Sequence, residues 1–371
     1  MWGFNRGRLS IAGIALLLIV SMAGYFLVLT TRHTVKNTVY DTQVEAAELM
    51  LKCYDVIKEN KLALGLEIDP TIDLNDTGIL GLMFSEITTT KGLLEAKRTS
   101  ASPAFAALMV KYFTQLGLKE GDVVAIGASG SFPALVLASL CACQVMNLDP
   151  ITIYSIGSSM YGSNVPEYTF ADMLNALNDA GLVKYTFDAI LMGGVDDLAM
   201  GIVSDEGREL ILEAIERSGV ENFIQAENLE ASIKERIKTY VKVANGRPIK
   251  CFVNVGGAPA NYGNTTYSLN FPNGLVTNLQ SYPIDPERGL IFDFAAMGIP
   301  VIHLLDIRGL ALKSNIVIDP VPFPEIGTEG VYYTVSYNKS LIFLTLIASL
   351  GVVVWDVYGR KRKSFGQKMA A

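Results

Sequence analysis

The run Val123-Val124-Ala125-Ile126-Gly127-Ala128-Ser129-Gly130-Ser131-Phe132-Pro133 holds three signals in succession. Residues 123–126 are uniformly apolar and bounded by turn residues, the pattern of a short strand buried on both faces. Gly127 to Ser131 are all small, as a tight turn requires. Pro133 suits the first turn of a helix, where its missing N–H costs nothing, and the small apolar residues of 133–146 continue it. Buried strand, glycine-rich turn and helix together open a βα unit.

The unit recurs downstream. Residues 151–156 form a second apolar run ending in Gly157-Ser158-Ser159, and 189–192 a third ending in Gly193-Gly194-Val195-Asp196-Asp197. Residues 249–255 pass through Asn254 into Gly256-Gly257, and 300–305 contain His303 and end at Asp306. Helical spacing fills 170–180, 205–218 and 229–243. The alternation predicts an α/β fold, a mostly parallel, Rossmann-like sheet with helices on both faces. Upstream, 35–60 reads as a stalk or first helix, and 102–116 as a helix capped by Ser102 with Pro103 at its first position. Residues 259–283, rich in Asn, Gly, Tyr and Pro, read as a long ordered loop or lid.

Of the 371 residues, 50% are apolar and 18% charged, and the mean hydropathy is +0.33. That composition excludes disorder and points to the membrane. Residues 9–30 carry no charge and would reach about 33 Å as a helix, enough to cross a bilayer core. The run is long for a signal peptide and no small-residue cleavage site follows it, so it reads as an uncleaved anchor. Residues 340–355 are a shorter uncharged run, with Lys339, Trp355 and Tyr358 suited to the interfaces. Arg6 and Arg8 precede the first run, and Arg360-Lys361-Arg362-Lys363 follow the second. Positive charge stays inside, so both termini are expected in the cytoplasm and the main domain outside. The expected organisation is a cytoplasmic 1–8, a span over 9–30, an extracytoplasmic 31–339, a span over 340–357 and a basic tail 358–371. Within the outer part, 31–100 is the helical stalk and 101–330 the α/β core. The net charge of −7, with its acids concentrated between the spans, excludes nucleic acid as a partner.

Open parallel sheets bind ligands outside the carboxyl ends of their strands. The candidate binding residues at those ends are Gly127, Gly130, Ser158, Ser159, Gly193, Gly194, Asp197, Asn254, Gly256, Gly257, Asp306 and Arg308. Gly127-Ala128-Ser129-Gly130-Ser131 differs from the G-x-S-x-G nucleophile elbow only in its last residue. The chain order Ser129, then Asp196 or Asp197, then His303 also matches that hydrolase arrangement, with Ser131 a second hydroxyl. His33 lies beside the first span, so His303 is the only other imidazole. The same loop reads equally as a backbone cradle for a phosphate or carboxylate, or as a plain turn. It is not a P-loop, since Gly-Lys-Ser/Thr is missing. Arg308 is the basic residue placed to meet an anion.

Asp196 and Asp197 share a cation only if the chain has already turned, so a helix-capping role for Asp197 is the simpler reading. No metal or cofactor follows from the sequence. Cys141 and Cys143 fall on different sides of a helix, and pairing among Cys53, Cys141, Cys143 and Cys251 stays open. Asn264-Thr265-Thr266 matches a glycosylation sequon.

The N-terminal anchor, the Gly127-Ala128-Ser129-Gly130-Ser131-Phe132-Pro133 loop, the Asn254-Val255-Gly256-Gly257 strand end and the short second span before a basic tail resemble the poly-gamma-glutamate system protein family. The resemblance implies a membrane-anchored component that helps make, export, anchor or trim an anionic capsule polymer. It implies synthase and export subunits in the bilayer as partners, with the anionic polymer as ligand. It carries over no catalytic residues. A second expectation stands beside it: an extracytoplasmic serine hydrolase or transpeptidase-like enzyme using Ser129 or Ser131 on gamma-linked amides.

Overall fold

The computed structural model describes residues 9–200, 204–263 and 266–369. Arg6, Arg8, the Asn264-Thr265 part of the sequon and the side chains from Arg360 onward lie outside the described residues. The chain forms two units: Thr38–Tyr332, and Met1–Asn37 together with Tyr333–Ala371.

The larger unit is a mixed α/β body on a six-stranded sheet. Its strands are β1 (Val123–Ser129), β2 (Asp149–Ser155), β3 (Ala189–Leu191), β4 (Ile249–Val255), β5 (Gly274–Val276) and β6 (Val301–Leu304). They lie in the order β3-β2-β1-β4-β6-β5. All neighbours are parallel except β5, which runs antiparallel on β6. The chain builds outward from β1 through β2 to β3, then crosses to the other side of β1 for β4. The crevice between β1 and β4 is therefore the switch point where open sheets seat ligands.

Burial explains the strands. All seven residues of β1 are buried, so an unbroken apolar run is what both faces demand. Val123, Ala125, Ile153, Phe252 and Val301 share one face with Leu229, Ile233 and Tyr240 of helix Leu229–Ala244. There Phe252 stacks on Phe294 with ring centroids 4.5 Å apart. Helix Pro133–Val145 lies against β1 and β2 and is covered in turn by Ala104–Gln115 and Tyr40–Ala63. Every residue from Pro133 to Cys143 is buried, which is why this helix shows no polar stripe. All four cysteines are free and buried.

Three expectations change. The segment read as a stalk buries Ala46, Ala47, Met50, Cys53 and Ile57 of helix Tyr40–Ala63, so it is a layer of the body. The helix expected from Ser102 begins at Ala104, with Pro103 at its cap and the Ser102 hydroxyl accepting the Ala104 N–H at 3.3 Å. The expected lid over 259–283 contains helix Pro259–Tyr262, a 3-10 turn at Thr266–Asn270 and the edge strand β5.

The smaller unit holds two helices long and apolar enough to cross a membrane, Ile11–Thr30 and Lys339–Gly359, of mean hydropathy 2.5 and 2.1. The second helix runs on to Met369. The two pair antiparallel through small residues. Ser10 donates its N–H (2.8 Å) and hydroxyl (2.5 Å) to Asp356, the Ser21 and Ser349 hydroxyls meet at 3.2 Å, and Gly24 lies against Thr345. Small residues let helix backbones approach where apolar surroundings give no driving force. An antiparallel ribbon joins His33–Lys36 to Tyr333–Ser336, with Lys36 opposite Tyr333.

Candidate functional site

Strands β1 and β2 end together, with Ser129 opposite Ser155. Outside those ends lies a cavity of about 130 Å³. Six of the residues expected there line it: Ser129, Ser131, Gly193, Gly194, Asp196 and Gly257. Thr89, Thr90, Ser155 and Tyr262 complete much of the wall, so the lining is dominated by hydroxyls and bare backbone.

The loop after β3 shapes one side. Gly193 and Gly194 have φ of 76° and 77°, and a Cβ on either would meet backbone atoms at 3.0 and 2.8 Å. Only glycine fits. Asp196, Asp197 and Ala199 also take left-handed φ of 57°, 62° and 52°, which costs a non-glycine residue roughly 1 kcal/mol or more. A buried anchor holds the loop there. Asp197 pairs with Arg236 at 2.7 Å, the side chains 1% and 0% exposed. Arg236 also donates to the Ser155 hydroxyl (2.8 Å) and to Asn261 (3.3 Å), and Ser232 donates to Asp197 (2.6 Å). Asp197 is thus no helix cap; Ser204 caps the following helix, accepting the Gly207 N–H. Asp197 is committed to Arg236 while Asp196 faces the cavity, so the two carboxylates do not converge. Among the described residues, no group of three or more His, Cys, Asp or Glu is placed to hold a metal.

A second buried cation sits under the Ser131 wall. Lys97, 1% exposed, donates to the Ser131 carbonyl and to the Ser159 hydroxyl (2.8 Å), with Nζ 3.7 Å from the centre of the Phe132 ring. Burial pushes its ammonium well below the ordinary lysine range. Ser159 returns its backbone N–H to the Ser131 hydroxyl at 3.0 Å. Ser158 and Ser163 both donate to the Gly130 carbonyl, which ties this loop to the next strand end.

The serine–histidine relay is not assembled. Ser129 is the last residue of β1 and does not take the left-handed backbone of a strained turn, so the elbow geometry is missing. His303 lies two strands from β1, roughly 10 Å away across the sheet. It is wholly buried, its Nδ1 is bonded to Asn254 at 2.8 Å, and its ring meets Phe271 edge-on. Burial lowers its pKa to about 4. No acid orients it.

The remaining candidates have structural partners. Asn254 also donates to the Gly256 carbonyl, Gly256 rests beside Phe132, and Gly127 abuts the Asn261 amide. Asp306 caps helix Ile307–Ser314 through the Gly309 N–H. Arg308 is spent on Glu95 in an exposed ion pair and does not line the cavity.

Sequence reading missed Lys97, Arg236, Thr89 and Thr90. Arg236 left a trace: it falls on the stripe Leu229, Ile233, Tyr240, where a charge among apolar positions marks a buried pair. Lys97 left none, because its partners lie on loops distant in sequence. In comparisons with protein-family models and curated proteins, the chain matches none.

Proposed function

We propose that this chain is a membrane-anchored, Rossmann-like binding protein of a poly-gamma-glutamate capsule system. Its two apolar helices anchor it with both termini in the cytoplasm and the α/β body outside. The ligand, a chain end or short segment of the anionic polymer, seats in the cavity at the carboxyl ends of β1 and β2. Synthase and export subunits in the bilayer are its partners.

The observation that supports this most is the cavity itself. It lies outside the carboxyl ends of β1 and β2, beside the crevice between β1 and β4, and its wall is chiefly hydroxyls and glycine backbone with the Asp196 carboxylate on one side and the buried amine of Lys97 behind Ser131. Such a wall suits a polar guest whose carboxylates and amides are held by hydroxyls and backbone N–H groups. The test is titration of the full chain, in detergent micelles, with oligo-γ-glutamate. Binding is expected, and Gly257→Trp, which fills the cavity from an exposed position on its wall, should abolish it while leaving the melting temperature near that of the parent. Absence of binding, or equal binding by the tryptophan variant, would overturn the reading.

A further inference from the structure

Of the residues lining the cavity, Asp196 alone carries a charged side chain. The neighbouring carboxylate, Asp197, is taken up by Arg236 and Ser232. Among the described residues the Asp196 carboxylate has neither an ion pair nor a hydrogen bond. The buried Arg236–Asp197 pair pins the next residue and so holds Asp196 at its left-handed φ of 57°. A carboxylate fixed in a cavity wall without a counter-ion is completed by a cation that the guest supplies.

The serines of the wall offer the reverse. Ser129 Oγ accepts the Ser131 N–H at 3.2 Å, Ser131 Oγ accepts the Ser159 N–H at 3.0 Å, and Ser155 Oγ accepts from Arg236 at 2.8 Å. A hydroxyl that accepts still has its own proton to give. Among the described residues none of these three protons has an acceptor. The strand order β3-β2-β1 puts the Asp196 loop to one side, the Ser129 and Ser131 hydroxyls to the other, and Ser155 between them. At about 130 Å³ the cavity is close to the size that accepts a benzene molecule, room for one small head group and not for a run of residues.

We infer that the cavity seats a zwitterionic α-amino-acid head group, with Asp196 on the ammonium and the hydroxyls of Ser129, Ser131 and Ser155 donating to the carboxylate. The inference rests on the cavity being the ligand seat proposed above, and for a γ-linked glutamate polymer it names which end enters. The amino end of such a chain carries an ammonium and a carboxylate on one carbon. The carboxyl end carries two carboxylates and no cation, and Asp196 repels it. An interior residue offers a carboxylate beside an amide, which leaves Asp196 unpaired.

Calorimetric titration of the full chain in detergent micelles with two γ-linked glutamate oligomers of equal length tests this. One has a free amino end; the other ends in glutaryl, which lacks only that amino group. The free-amino oligomer should bind about 10-fold more tightly or better, the worth of a hydrogen bond to a charged group. Asp196→Asn, a residue that tolerates left-handed backbone, should bring the two nearly level. Ser131→Ala should weaken both alike, since both keep the carboxylate. If Asp196→Asn fails to fold, the parent's preference and Ser131→Ala decide. A preference that survives in Asp196→Asn, or unchanged affinities in Ser131→Ala, overturns the inference. Equal binding of the two oligomers by the parent also overturns it, yet leaves the polymer seat standing. Free glutamate bound by the parent and lost in Asp196→Asn, with neither oligomer bound, would uphold the head-group seat and remove the polymer as its ligand. Binding of none of the three probes overturns both readings.

Discussion

The guanidinium of Arg236 and the carboxylate of Asp197 meet at 2.7 Å with neither side chain reaching solvent. The pair ties helix Leu229–Ala244 to the left-handed loop after β3, and through Ser155 it touches the cavity wall. Removing either partner strands the other charge in the interior, which typically costs about 3–5 kcal/mol. Arg236→Met and Asp197→Asn should each lower stability by that order in thermal unfolding. The double variant should lose clearly less than the two singles added together; strict additivity would show that the pair is not coupled.

His303 makes stability depend on pH. Its folded pKa of about 4 lies below the ordinary 6.5, so the folded state favours the neutral ring. The contribution is complete above pH 6.5 and is lost as pH falls toward 4, amounting to about 3 kcal/mol. Melting of the parent should therefore fall across that window more steeply than that of His303→Gln. Parallel curves for the two proteins would contradict the assignment.

The pairing of the terminal helices can be read by cross-linking. Ser21 and Ser349 face each other at 3.2 Å, so Ser21→Cys with Ser349→Cys should form a disulfide on mild oxidation. A Cβ at Gly24 would fall 2.1 Å from Thr345. Adding Gly24→Leu should force the helices apart and suppress the cross-link, and an undiminished yield would show that the two do not pack here.

Two glycines of the site separate by their surroundings. A Cβ at Gly130 would press to 2.5 Å on the Ile156 carbonyl, part of the backbone. Gly130→Ala should cost about 1–3 kcal/mol by overpacking. At Gly257 the nearest atoms stand at 3.6 and 3.8 Å, so Gly257→Ala should stay within about 0.5 kcal/mol of the parent. Chemical denaturation of the two side by side checks the contrast.

What could be read from the sequence followed from local pattern. The buried strands announce themselves by unbroken apolar runs, and the glycine clusters at their ends mark where the chain must turn. The cavity's Ser129, Ser131, Gly193, Gly194, Asp196 and Gly257 were reachable because strand ends in a parallel sheet converge. Strand β5 was not, since three residues paired only by tertiary contact carry no period. Ser129 looked like a turn residue because small side chains suit strand ends and turns alike. Lys97 and Arg236 were not singled out, because Lys and Arg usually lie at the surface. Their partners Ser159 and Asp197 lie 62 and 39 positions away, beyond any local spacing rule.

The ribbon that sets Lys36 opposite Tyr333 makes the chain enter and leave its body through one doorway. The body is thus an insertion into a hairpin. A protease nick in one of its loops would shed nothing, because both fragments stay stitched by the same strands and helices. Another domain whose ends lie equally close could be transplanted into that gap without disturbing the anchor.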